Sequence, residues 1–156
     1  MSKVPPFTRA RFFNGTLALI AGCSLNYLGD RLLGVRIELF SGMLDFNGLW
    51  VIDMLTLPFL VGILVAVIFG LGGKWLCYFP PLIVKTIGYL ETFYLIGVPD
   101  GAKLIPFGMW ALFVTVVMTS AAFGGVMGEI IIKGTYGRTP RDILYKDRSS
   151  KSTDHP

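Results

Sequence analysis

Leu104 to Gly128, LIPFGMWALFVTVVMTSAAFGGVMG, runs for 25 residues without an Asp, Glu, Lys or Arg. About 20 mostly apolar residues at a rise of about 1.5 Å each cross the roughly 30 Å hydrocarbon core of a bilayer as an α-helix. This stretch is therefore read as a membrane span. Three weaker stretches share its character. Phe12 to Gly29 carries no charge, Met54 to Leu71 carries none and extends upstream through Asp53 to Leu49, and Trp75 to Pro99 is apolar apart from Lys85 and Glu91.

The whole chain agrees with that reading. Of its 156 residues 53% are hydrophobic and only 15% charged, where a soluble globular domain carries about 25% charge. Its mean hydropathy is +0.64. The expectation is an all-α membrane protein with four transmembrane helices, at about 12–30, 49–71, 76–98 and 104–130. The Pro80-Pro81 pair suits the start of the third, where the first turn has no amide partner to lose. Residues 133–156 read as a short, basic, disordered tail.

Lys and Arg accumulate on the cytoplasmic side of membrane proteins. Lys3, Arg9 and Arg11 precede the first span, Lys74 lies between the second and third, and Lys133, Arg138, Arg141, Lys146, Arg148 and Lys151 follow the fourth. Only Arg31, Arg36 and Lys103 fall in the opposite loops. Both termini are thus expected in the cytoplasm, in a bacterial-type inner membrane. The net charge of +4 points to anionic lipid, and nucleic acid is not expected as a partner, since no basic stripe interleaved with aromatics is present. The first outer loop, Asp30 to Gly48, includes Val35-Arg36-Ile37-Glu38-Leu39, whose alternation suits a short strand or an extended interfacial segment. Trp50, Trp75, Tyr78 and Trp110 fall near span ends, where aromatic belts form.

Within lipid, helices approach closely where small residues recur every fourth position. Gly62, Ala66 and Gly70 form such a stripe on the second span, and Ser120, Gly124 and Gly128 on the fourth. These two helices are expected to pack face to face, although either stripe could instead receive a helix of another protein.

An ionisable group inside a membrane is a functional candidate by default. Glu91, eight residues before Pro99, is placed near mid-bilayer, either as a hydrogen-bonded carboxyl or as a proton, cation or subunit-docking site. Lys85 is expected to snorkel to water past the proline pair. Asp53 is expected to sit in the first turn of the second span, where the helix dipole favours negative charge. Asp30 and Arg31 read as interfacial, and Glu129 as a surface ion pair with Lys133, one turn away.

Cys23 and Cys77 differ in depth, so no disulfide is expected. Ile20-Ala21-Gly22-Cys23 resembles the lipobox of bacterial lipoprotein signal peptides, which implies lipidation at Cys23; an uncleaved first helix is the default, because Asn14-Gly15-Thr16 breaks the apolar region. Asn26, Asp30-Arg31, Glu38 and Phe46-Asn47 with Asp53 look a little like the motifs of signal peptidase II, a four-span aspartyl protease. The match departs at Glu38, which replaces an Asp, and at Asp53, six residues past Asn47. Its motifs also fall between the first and second spans rather than in later ones, and the family is not carried over.

The one histidine, His155 in the tail, leaves haem ligation, a zinc site and a Ser/His hydrolase without parts, and Gly70 to Lys74 lacks the spacing of a phosphate loop. No metal or cofactor is expected, and an enzyme is the weaker expectation. The primary reading is an accessory or assembly subunit of a larger membrane complex. The alternative is a small transporter or ion-conducting homo-oligomer with Glu91 as its titrating group.

Overall fold

A computed structural model describes residues 7–40, 42, 47–70 and 72–135, and leaves aside the side chains of residues 7–10 and 135. Among the described residues the chain is all-helical apart from two two-residue strands. Four helices form. The first is Phe7–Leu33, closed by Gly34 at φ +65°, whose amide donates to the Asp30 carbonyl. A glycine in this left-handed conformation is the usual helix stop.

The second helix, Gly48–Phe69, begins where the Asn47 side chain accepts from the Trp50 amide at 2.9 Å. It contains one π-helical turn, Ile52–Thr56, followed by Leu57 and then Pro58. The third covers residues 73–96 in three parts: a 3-10 turn over Gly73–Tyr78, an α segment over Phe79–Glu91 with both prolines in its first turn, and a π turn over Thr92–Ile96. The fourth is Phe107–Thr135. It starts three residues later than the sequence suggests, because proline disfavours helical geometry in the residue before it and Pro106 stands ahead of Phe107.

Two helices, Gly48–Phe69 and Phe107–Gly134, are long and apolar enough to cross a membrane. The strands β1 (Leu39–Phe40) and β2 (Lys103–Leu104) pair antiparallel, Leu39 opposite Leu104. That pairing gathers both long loops at one end of the bundle. The expected extension from Val35 is shorter than the alternation implied, since the chain turns at Arg36, whose carbonyl accepts from Leu39.

The end opposite the loops is where the second helix passes into the third, the Gly73 amide donating to the Gly70 carbonyl. Here the second helix meets the fourth. A Cβ on Gly62 would strike the Ala121 carbonyl oxygen, one on Gly124 the Phe59 carbonyl oxygen, and one on Gly128 the Ala66 side chain. Ser120 Oγ donates to the Leu55 carbonyl at 2.6 Å. Gly70 does not join this seam: at φ +87° with nothing near a Cβ, it ends the helix. Glu129 also departs from expectation. Nearly buried, it accepts from the amides of Gly72 (2.9 Å) and Lys74 (3.2 Å), so it caps the 3-10 turn, where a carboxylate meets unpaired N–H groups.

The first helix lies against the second and third. Cβ atoms added to Gly22 would meet Pro80 and Val65, and to Gly29 would meet Leu57. Cys23 thus sits within a continuous helix packed into the bundle. An apolar cluster near the loops holds Ile37, Met54, Ile105, Trp110, Val114 and Val117. Trp110, 6% exposed, is a core residue there and not a belt residue, with Tyr89 5.0 Å and Phe107 5.4 Å from it between ring centres. The tail beyond residue 135 lies outside the described residues, as do Phe46 and Leu71.

Candidate functional site

Three helices bring one cation and two acids together. Lys85, midway along the third helix, donates from Nζ to Asp53 Oδ2 of the second at 2.7 Å. The same Nζ lies 2.9 Å from Asp30 Oδ1 of the first, a contact of charge without a well-directed hydrogen bond. The side chain of Lys85 is 3% exposed and that of Asp53 0%. Lys85 does not reach solvent as its expected snorkelling required, because two carboxyl groups meet its ammonium inside the bundle. Nor does Asp53 act as an ordinary first-turn acid: it is turned inward by the π-helical segment Ile52–Thr56, a distortion that frequently marks functional positions.

Burying ions is costly, and a buried pair survives only where geometry and hydrogen bonds compensate. Compensation here is incomplete. The triad holds two formal negative charges against one positive. Asp53 Oδ1 has no hydrogen-bond partner, and neither do Oδ1 and Nδ2 of the fully buried Asn26, one turn before Asp30.

A cavity of about 330 Å³ opens beside the triad, with Asp30 and Lys85 in its wall and Asp53 behind them. At about 30 Å³ per molecule that space suits roughly ten waters or a small polar solute. Both signs of charge line it: Arg31, Arg36 and Lys85 with Asp30, Glu38 and Glu91. Glu91 Oε1 pairs with Arg31 at 3.3 Å, and Arg31 also donates to the Tyr27 hydroxyl at 2.9 Å. Thr92 Oγ1 donates to the buried Glu38 at 3.1 Å. Glu38 and Asp53 therefore engage different partners.

The third helix ends at Ile96, so Glu91 lies five positions from its end, 30% exposed on its side chain and paired with Arg31. Lys85 is the ionisable group at mid-helix. Thr92 is a site residue that the sequence reading did not name, while Asn26, Asp30 and Glu38 entered it only as a faint protease-like motif or, for Asp30, as an interfacial acid. One signal was present: Ala18, Gly22, Asn26 and Asp30 recur at fourfold spacing, which lines them along one face of the first helix. No group of three or more His, Cys, Asp or Glu side chains among the described residues could hold a metal ion. No family model matches the chain, and no match to it is found among curated proteins or solved structures.

Proposed function

We propose that this chain is a four-span inner-membrane protein, both termini cytoplasmic, that moves a small ion or polar solute through the cavity beside Lys85. The observation that carries this reading is the ammonium of Lys85 held between Asp30 and Asp53 from two other helices, at the wall of a charged cavity. Ionisable groups placed inside membrane helices face such cavities and mark transport pathways. Broken helices at the binding level are a recurring feature of transporters, and the π turn followed by Pro58 supplies such a break at Asp53. Because the triad neutralises most of its own charge inside the bundle, the first and third helices can sit in lipid despite their polar residues. The bias of Lys and Arg toward the end where the second helix passes into the third supports the orientation.

The titrating group of this reading is the triad, with Glu91 and Arg31 at the cavity mouth. In liposomes holding trapped pH-sensitive and Na⁺-sensitive dyes, the purified protein should raise cation flux at least tenfold over protein-free vesicles under an imposed gradient. Flux no greater than that of empty vesicles rejects the reading.

A second reading is a subunit of a larger membrane complex. Its first support was a Glu91 in need of a partner, and Arg31 now meets that need. What favours it is the exposed ridge of Phe93, Tyr94 and Leu95 on the third helix, Leu95 being 81% exposed. Size-exclusion chromatography after mild extraction, with mass determination of every co-eluting chain, separates the two. A stoichiometric foreign chain would favour the subunit.

A further inference from the structure

We propose that Asp30, Asp53 and Asn26 form a binding site for a monovalent metal cation, with Na⁺ as the probe, beside the Lys85 ammonium; the inference deepens the transport reading above. Three observations converge on it. First, charge: two carboxyl groups share one ammonium, so with both ionised the triad would carry a negative excess of one unit, which a monovalent cation, like a proton, would offset. Second, free ligands: Asp53 Oδ1 and the amide oxygen of Asn26 are buried without hydrogen-bond partners. A cation at these oxygens would offset part of the cost of burying them unpaired.

Third, the backbone. Pro58 has no N–H to donate, and the Leu57 amide bonds back to the Ile52 carbonyl in the π turn. The carbonyl that residue 58 would otherwise serve, that of Asp53 or Met54, thereby loses a donor at the level of the triad. Hard cations take oxygen ligands of these kinds, carboxylate, amide and backbone carbonyl, and carbonyls of interrupted helices coordinate Na⁺ in transporters.

Register along the first helix aims Asn26 into the site. Gly22 faces Val65 and Pro80, Gly29 faces Leu57, and Asp30 faces Lys85. Asn26 stands one turn from both Gly22 and Asp30, in the same seam between the second and third helices.

The test uses the full chain in detergent, free of any transport assay. Thermal unfolding is compared in sodium chloride and choline chloride at equal ionic strength of about 0.15 M, where Debye screening is matched. Sodium should raise the midpoint by about 4 °C, the scale of roughly 1–2 kcal/mol of ligand linkage for a chain of this size. Asn26→Leu keeps the branched heavy-atom shape while replacing both polar atoms with bulkier methyl groups, and Asn26→Ala removes them without adding bulk; at least one of the two should fold, and each that folds should lose the sodium-specific shift. Equal midpoints in sodium and choline for the wild type, or an undiminished shift in either variant that folds, would overturn the site. A sodium shift without liposome flux would leave the site standing and refute transport; flux without the shift would refute the site alone.

Discussion

At the end of the bundle where the second helix passes into the third, the second and fourth helices meet backbone to backbone through Gly62, Gly124 and Gly128; toward the loops, the first three helices meet through an ammonium and two carboxyl groups. The glycine seam gains from close contact and from the Ser120 hydrogen bond to the Leu55 carbonyl. Glu129 adds two amide hydrogen bonds beside it. The charged junction is different, since it leaves buried polar atoms unpaired. A junction built only for stability would satisfy those atoms or omit them. The contrast separates a close-packed end from a charged one, and the transport reading proposed above rests on the second.

The comparison can be broken most forcefully at Lys85. Lys85→Met leaves two buried carboxyl groups without their counter-charge and should cost about 4 kcal/mol, read from denaturant unfolding in detergent. A cost below about 1 kcal/mol would place the triad in contact with water after all. Gly124→Val should come next, because its side chain would press on the Phe59 carbonyl; overpacking of this kind costs about 3 kcal/mol, and an unchanged midpoint would show that the seam opens freely. Glu129→Ala should lose about 1.5 kcal/mol, with faster hydrogen exchange at the Gly72 and Lys74 amides than elsewhere in the third helix. Exchange unchanged at those two positions would deny the cap. Arg31→Ala should be the mildest, leaving the unfolding midpoint where it is, because half of that side chain is exposed and surface pairs contribute little.

The same contrast explains what could be read from the sequence. The Gly62–Ala66 and Ser120–Gly124–Gly128 spacings report on a single helix face, so periodicity alone brings the second and fourth helices into register. Gly70 carried the same spacing yet serves as a helix stop, because spacing says nothing of φ. Partners of charged residues are a property of three helices at once. Lys85 is 32 residues from Asp53 and 55 from Asp30, so no local pattern joins them, and each acquired a plausible solitary role as a snorkelling base, a dipole-facing acid or an interfacial acid. The partner of Glu91 was hidden for the same reason, since Arg31 stands 60 residues away.

The central claim is that the charges around Lys85 serve transport and not stability. Replacing all three at once, Asp30→Leu, Asp53→Leu and Lys85→Met, removes the charge and the desolvation cost together, so the folded protein should keep its stability to within about 1 kcal/mol of wild type. Cation flux through that triple variant in liposomes is the direct test. The account expects at least a tenfold loss with folding intact. Wild-type flux through a bundle with no charge at that junction would contradict it.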